Sequence, residues 1–262
     1  MNAPPDGTPA AERWRDELAA WAIPEEILAR APEPPWGFPV ELWRVDDETV
    51  VESPSRRRAL EALPSKGSVL DVGCGGGRAS LALAPFPGSV VGVDESAGML
   101  AAFAEAAEAK GVLHSEVLGS WPDVAGRVES ADVVVCHHVA YNVPELGAFA
   151  RALSDRARRR VVLELTDLHP LVATAPLWRR FHGLDRPSGP SSDLAVALLR
   201  EAGVQPQIEH LTVASGQPER SLLVAFMRRR LCLPASRDDE VDEALGPHWN
   251  TERRTVTLWW DA

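Results

Sequence analysis

Cysteine is scarce in this 262-residue chain: Cys74, Cys136 and Cys232 are the only three, and none forms a C-x-x-C pair. An odd number of widely spaced cysteines excludes a disulfide framework and gives no zinc-binding pattern, so no metal site is predicted. No uncharged stretch approaches the roughly 18 residues of a membrane helix, and the first residues lack the basic and apolar segments of an export signal. The sequence therefore predicts a soluble protein of the reducing cytoplasm.

Positive charge is also in deficit. Lysine and arginine total 27 against 38 acidic residues, which gives a net charge of -11 and a pI near 5.1. A field of this sign repels phosphate backbones and anionic lipids. Arginine clusters at 56–58, 158–160 and 228–230 weaken the argument, because binding depends on local patches, but solvated helix ends explain each of them. We expect neither nucleic acid nor a membrane as a partner.

Tryptophan, by contrast, is concentrated near the amino terminus. Residues 1–66 hold four of the nine tryptophans, Trp14, Trp21, Trp36 and Trp43, together with many prolines. Such a segment can bury little apolar surface alone, and its prolines interrupt regular helix. We expect short helices and turns that pack as an N-terminal helical cap on the rest of the chain, residues 67–262.

From Ser68 onward, short apolar runs alternate with helical stretches, the pattern of a parallel sheet covered on both faces. Ser96 can cap one of these helices and Gly111 can end it. The predicted fold is a doubly wound α/β sheet. Its expected strands are 68–72, 89–93, 112–118, 132–136 and 160–165, and its expected helices are 78–84, 97–110, 143–154 and 192–202.

The last sixty residues allow more than one interpretation. Segments 205–213, 221–228 and 254–260 could each be a strand, but only the third alternates firmly between two faces. The middle segment fits an amphipathic helix better, with a further helix at 238–245. We therefore expect a helical insertion at about 215–250 between two final strands.

The strongest motif is Val69–Arg78, VLDVGCGGGR, in which an apolar strand runs into glycines and then a helix. Glycines allow a sharp turn and let a ligand approach the main chain where a Cβ would clash. A dinucleotide fingerprint would need glycine or alanine where Arg78 stands. The pattern instead fits D-x-G-x-G-x-G beginning at Asp71.

With this motif the sequence resembles the class I S-adenosylmethionine-dependent methyltransferases. Asp94 ends the second strand at the roughly twenty-residue offset where a carboxylate can accept both hydrogen bonds of a ribose diol. The alternative, that Asp94 only belongs to the cap of the next helix, accounts for Ser96 but not for this coincidence. The resemblance implies a Rossmann-like sheet, mostly parallel with an antiparallel last strand.

The resemblance also implies S-adenosyl-L-methionine as cofactor. The main chain of Gly73 and Gly75 would face its methionine part, with Asp71 organising the amino group and Asp94 binding the ribose. The full set of implied cofactor residues is Asp71, Gly73, Cys74, Gly75, Asp94, Glu95, Met99, Ser120, Trp121 and Cys136.

Three of these residues are expected beside the adenine. Met99 could lie against the ring, although methionine at helical spacing is more often core. Ser120 and Trp121 follow the third strand, where such families flank the adenine, but many relatives carry an acidic residue in place of Ser120. A core position remains the alternative for Trp121.

Candidate catalytic residues follow the fourth and fifth strands, at the ligand edge of an open α/β sheet. These are His137, His138 and Tyr141 after the fourth strand and His169 after the fifth. Histidine titrates near neutral pH and suits a general base, but two adjacent histidines cannot both be that base, and one is expected to be structural. His169 could instead simply terminate its strand. Trp178 and Arg180 are further candidates for an acceptor pocket, with a core position as the alternative for Trp178.

The function expected from the resemblance is methyl transfer to a small-molecule acceptor, with the acceptor atom unknown. One alternative is an RNA methyltransferase that uses the arginine clusters. Another is a non-catalytic cofactor-binding module that acts through protein partners on its tryptophan-rich cap. The oligomeric state is not indicated by the sequence.

Overall fold

The computed structural model describes residues 9–36, 52–214, 219–247, 249 and 252–262. Trp43, part of the expected cap, lies outside these residues, as does part of the expected insertion. Seven strands are described: β1 Ser68–Val72, β2 Ser89–Asp94, β3 His114–Leu118, β4 Ala131–His137, β5 Ala157–Thr166, β6 Gln207–Ala214 and β7 Glu252–Asp261.

The strands form one sheet in the order β3-β2-β1-β4-β5-β7-β6. Strands β1 to β5 pair in parallel, while β7 pairs antiparallel with both β5 and β6. The last strand thus inserts between two earlier ones. The carboxyl ends of β1, β4 and β5 meet at one edge of the sheet, where the glycine motif and the candidate histidines begin.

Helices cover both faces of this sheet. None in the described part of the chain is long and apolar enough to cross a membrane. Their bounds are α1 Ala10–Ala19, α2 Glu25–Leu28, α3 Pro54–Ala62, α4 Arg78–Leu81, α5 Ala97–Ala109, α6 Leu146–Ser154, α7 Ala175–His182, α8 Ser192–Glu201, α9 Arg220–Arg230 and α10 Asp238–Leu245.

Three expected elements are shorter than the sequence suggested by two residues or more. Helix α4 ends at Leu81 rather than at residue 84, and β3 begins at His114 rather than at residue 112. Helix α6 begins at Leu146, because residues 140–142 form a separate 3-10 turn in which the Val143 N–H donates to the Ala140 carbonyl. In the last sixty residues, two helices between β6 and β7 match the expected order.

Helix α3 lies on the sheet face formed by β4, β5 and β7. The Ser53 side chain caps its first turn by accepting the Arg56 N–H, and Pro54 occupies the first helical position, where a missing N–H costs nothing. This start fixes the next residue, Ser55, against the sheet, where only 2% of its surface is exposed. Helix α3 therefore delivers a polar side chain to the buried face.

Helix α1 packs on the opposite face, next to α8. Trp14 is fully buried, stacks on Tyr141 at 5.4 Å between ring centroids, and donates its indole N–H to the Val143 carbonyl at 2.9 Å. The Ala10 N–H donates to Glu201 at the end of α8. The described part of the N-terminal region thus joins the main core beside the residues that follow β4.

Candidate functional site

The glycine loop turns sharply between β1 and α4. The N–H groups of Gly73 and Cys74 both donate to the Val93 carbonyl, at 2.8 and 3.0 Å, which fastens the loop to the end of β2. Gly73 has φ +69°, and a Cβ there would lie 2.3 Å from Val139 Cγ2. Gly75 has φ +51°, yet a Cβ there would have no atom within 4 Å. The loop is closed at Gly73 and open at Gly75, where a ligand can touch the main chain.

Asp71 lies fully buried directly before this loop. Its Oδ2 accepts hydrogen bonds from the Ser80 hydroxyl at 2.6 Å and the Ser80 N–H at 3.3 Å, while the buried Oδ1 has no partner in the described part of the chain. Burial, opposed by the Ser80 hydrogen bond, raises the pKa of Asp71 to about 6. An unpartnered buried carboxylate oxygen is suited to a cationic amino group, as the resemblance implies.

Asp94 connects the loop to α5. Its Oδ2 accepts the Gly75 N–H and its Oδ1 accepts the Ser96 N–H, both at 2.9 Å. Ser96 in turn caps α5 by accepting the Met99 N–H. The two interpretations of Asp94 are therefore compatible, because each carboxylate oxygen has a second lone pair for a ribose hydroxyl.

The expected adenine side has one notable polar contact. The Ser120 hydroxyl donates to the Glu95 carboxylate at 2.5 Å, so the acidic group near Ser120 comes from the end of β2. Met99 is half-buried. Trp121 is 8% exposed and packs in the core, and its buried indole N–H has no partner among the described residues.

Two cysteines of the implied cofactor set are core residues. Cys74 is 5% exposed and Cys136 is fully buried. Burial raises the pKa of both thiols. The thiols of Cys74 and Cys136 therefore lie in the core of the protein.

His137 and His138 have different environments at the end of β4. The Nε2 atom of His137 is buried without a partner in the described residues, and burial lowers the pKa of this ring. His138 has φ +60°, its N–H donates to the Glu164 carbonyl at 2.7 Å, and its Nε2 lies 3.2 Å from Glu164 Oε1. His138 is the histidine whose ring is both oriented and partly accessible.

Glu164 and Ser55 are site residues that sequence reasoning missed. Burial would raise the pKa of Glu164, but the two histidines and the Ser55 hydroxyl, which donates to Oε2 at 2.6 Å, hold it below its usual range. A glutamate at a buried position of the apolar strand VVLELT was the available signal. Ser55 carried none, because its contact depends on how α3 crosses the sheet.

Tyr141 and His169 are already engaged by the protein. The Tyr141 hydroxyl donates to the Thr166 carbonyl at 2.7 Å, and burial raises its pKa. His169 accepts the Leu171 N–H on Nδ1 and stacks on Trp21 at 4.6 Å. Burial lowers the pKa of His169 to about 4. The geometry favours structural roles for both.

A small cavity of about 20 Å³, enough for about one water molecule, lies beyond His169 between the N-terminal region and the insertion. The Arg186 guanidinium lies over the rings of Trp21 and Trp178, at 5.2 and 4.8 Å. Trp178 thus borders this cavity, whereas Arg180 pairs with Glu243 on the surface. The lining residues are Trp21, Ile23, Trp36, Leu171, Thr174, Trp178, Arg186, Met227, Arg230 and Leu231.

Comparison with known proteins agrees with this geometry. Residues 69–160 match the family described as the methyltransferase domain. A curated relative, the ubiquinone biosynthesis O-methyltransferase of Azorhizobium caulinodans, is 31% identical over 140 residues. That match covers 53% of this chain and 54% of the relative, so the chain spans about half the length of the curated relative it matches.

Solved structures share the fold at low identity. A methyltransferase from Thiobacillus denitrificans, solved with S-adenosyl-L-homocysteine, matches with a TM-score of 0.53 and 16% identity over 87% of this chain and 100% of that one. A coclaurine N-methyltransferase matches with a TM-score of 0.50 and 14% identity over 97% of this chain and 95% of that one.

The sheet order, its antiparallel last strand and the loop after β1 define a class I, Rossmann-like methyltransferase fold, as expected from the sequence. Residues 69–160 match the methyltransferase domain family, which agrees with the family resemblance seen in the sequence. The cofactor of this family, S-adenosyl-L-methionine, is the one that the loop was expected to hold.

Proposed function

We propose that this protein transfers the methyl group of S-adenosyl-L-methionine to a small-molecule acceptor. The observation that carries the proposal is the loop after β1, which is fastened to β2 at Gly73 but leaves open space at Gly75. The Asp94 carboxylate accepts the Gly75 N–H and so borders the same space. The site therefore combines the open loop at Gly75, the unpartnered Oδ1 of Asp71 and the carboxylate of Asp94. Together these groups suit an adenosyl ligand.

The residues present fit this ligand at each end. Asp71 Oδ1 is the available acceptor for the ammonium group, and Asp94 has lone pairs for the ribose diol. When bound, the ligand supplies a methyl group on a positively charged sulfur. The chain then contributes orientation, since holding donor and acceptor at near-attack distance accounts for much of the rate of such a displacement.

A small molecule is the proposed acceptor because the curated relative is an O-methyltransferase of ubiquinone biosynthesis. Beyond His169, tryptophans and arginines also meet around a cavity that, at about 20 Å³, would have to open to admit an acceptor. Apolar walls with a few convergent polar groups are typical of small-molecule sites. The net charge of -11 disfavours nucleic acid. We also propose a cytoplasmic location, because all three cysteines are unpaired and buried.

Thermal denaturation with adenosyl ligands tests the proposal. S-adenosyl-L-homocysteine at about 100 times its Kd should raise the Tm by roughly 5–10 °C, whereas NAD should not. Asp94→Ala should weaken binding by roughly tenfold or more, because a charge-assisted hydrogen bond contributes about 1.5–3 kcal/mol. If S-adenosyl-L-homocysteine did not raise the Tm of the wild-type protein, the proposal would be contradicted.

Turnover requires a second measurement. The release of S-adenosyl-L-homocysteine is followed with a panel of phenols, carboxylic acids, amines and thiols, so that the reporter does not depend on the acceptor. Turnover with one class of acceptor supports the enzyme. Tight binding of the product without release from any member of the panel would favour a cofactor-binding module instead.

A further inference from the structure

Three side chains from three separate elements form a connected polar line inside the site. Ser55 of α3 donates to Glu164 Oε2 of β5 at 2.6 Å, and Glu164 Oε1 lies 3.2 Å from His138 Nε2, directly after β4. Ser55 is 2% exposed and Glu164 is 9% exposed. A buried carboxylate is costly unless paired, so this line is a feature that the fold maintains.

The contact with Glu164 determines which ring nitrogen of His138 is available. A carboxylate beside Nε2 favours the tautomer with its proton on Nε2, which leaves the lone pair on Nδ1. The side chain of His138 is 19% exposed, and Nδ1 is neither bonded to another group nor buried among the described residues. Nδ1 is thus the nitrogen that can receive a proton from a ligand.

His138 also lies beside the glycine loop. The next residue, Val139, fills the space where Gly73 would carry a Cβ. The preceding residue, His137, interacts electrostatically with both Asp71 and Glu164. His138 therefore lies between the end of the cofactor loop and β5.

The backbone at His138 is held in an uncommon conformation. A φ of +60° is unfavourable for a residue with a Cβ and persists only where the surroundings impose it. Here Glu164 holds both parts of the residue, since its carbonyl accepts the His138 N–H and its carboxylate contacts the ring. The orientation of the ring is thus set by one residue of the neighbouring strand.

We propose that Glu164 and Ser55 are positioning residues that hold His138 as the proton acceptor for an acceptor molecule with a hydroxyl nucleophile. This inference rests on the proposed methyl transfer. The hydroxyl oxygen forms a bond to the methyl carbon while the carbon–sulfur bond breaks and its electron pair remains on sulfur. The hydroxyl proton passes to Nδ1 of His138 and afterwards to water. The Glu164 carboxylate stabilises the imidazolium that forms.

Other charged groups interact with Glu164 and with His137. Arg253 of β7 interacts with Glu164 and with Arg78 of α4, and Asp71 of β1 acts on His137. Glu164 is the acidic group in contact with His138. Removing its charge should therefore affect His138 more than any other nearby change would.

The test uses the full chain labelled with 15N-histidine and saturated with S-adenosyl-L-homocysteine. The nitrogen shifts of the wild-type protein should show His138 with its proton on Nε2. In Glu164→Gln this preference should weaken, because the amide oxygen is a poorer acceptor than the carboxylate, while the affinity for the product should change by less than about twofold. Glu209→Gln is the matched control, because Glu209 pairs with arginines on α3 but lies on β6, away from His138.

Kinetics complete the test with a hydroxyl acceptor from the panel and an aprotic tertiary amine. General-base catalysis contributes about 10²- to 10⁴-fold, so His138→Ala should lower kcat by that order for the hydroxyl acceptor, and Glu164→Gln by roughly 10- to 100-fold. Neither should slow transfer to the amine, and Ser55→Ala should have a smaller effect in the same direction.

The outcomes separate this inference from the proposed function. A proton on Nδ1 of His138, or a tautomer unchanged in both Glu164→Gln and Ser55→Ala, would overturn the inference even if the protein binds the product. Loss of product affinity in Glu164→Gln would show that Glu164 contacts the cofactor instead. Failure of the wild-type protein to bind the product would remove the proposed function itself.

Discussion

The proposed cofactor side and the proposed acceptor side of the site are built in opposite ways. On the cofactor side, the contacts are local in sequence: the Gly75 N–H reaches Asp94, 19 residues away. On the acceptor side, they join distant segments, as when Trp21 donates its indole N–H to the Gly189 carbonyl, 168 residues away. A local motif can be recognised from sequence, whereas a pocket assembled from distant segments cannot. The proposed cofactor side can therefore be predicted from the sequence, whereas the proposed acceptor side cannot.

The largest effect is expected from replacing one glycine of the cofactor side. In Gly73→Ala the new Cβ would lie 2.3 Å from Val139, at φ +69°. Overpacking and left-handed backbone strain together should cost about 3 kcal/mol or more. The measurement is the free energy of unfolding in urea.

Gly75→Ala is the matched control for that substitution. Its φ is also positive, but the added methyl group meets open space. It should lose only about 1–2 kcal/mol from backbone strain, while binding of S-adenosyl-L-homocysteine falls strongly because the methyl group occupies the ligand's place. Equal losses of stability in the two variants would show that the loop is not closed at Gly73.

The two sides should also respond oppositely to acid. Burial raises the pKa of Asp71 to about 6, so the folded state binds its proton more tightly than the unfolded state does, and this group adds stability as the pH falls from about 6 to 4. Burial lowers the pKa of His169 to about 4, so the folded state favours the neutral ring and stability is lost as the pH falls from about 6.5 to 4. The two shifts correspond to at most about 3–3.5 kcal/mol each.

Unfolding at pH 4 to 7 in two variants separates these contributions. Asp71→Asn should lose stability more steeply than the wild-type protein below about pH 6. His169→Asn, in which an amide oxygen can accept the Leu171 N–H in place of Nδ1, should lose it less steeply. Parallel pH curves for the wild-type protein and both variants would mean that neither group titrates differently on folding.

The prediction of the fold also succeeded where the signal was local in sequence and failed where it depended on distant contacts. The alternation of short apolar runs with helical stretches predicted strands β1 to β5, because β1, β2 and β4 are short apolar runs that end at turns. Helix α3 was not predicted, since its signal was only a serine and a proline. Ser55 was missed with it, because the Glu164 contact spans 109 residues. Tertiary packing, rather than local sequence, creates that pair.

The smallest expected effects concern the arginines of the acceptor side. Arg186 stacks on Trp21 and Trp178 and donates to the Trp21 and Ala22 carbonyls, so Arg186→Met should raise the KM of the acceptor several-fold and cost about 1–2 kcal/mol of stability. Affinity for S-adenosyl-L-homocysteine should stay unchanged, because the proposed cofactor site lies at the glycine loop rather than beside Arg186. Arg180→Met is the matched control: its exposed ion pair with Glu243 contributes less than about 0.5 kcal/mol. If the two variants have the same acceptor KM, the cavity beside Arg186 is not where the acceptor binds, and the acceptor side must be sought nearer to His138.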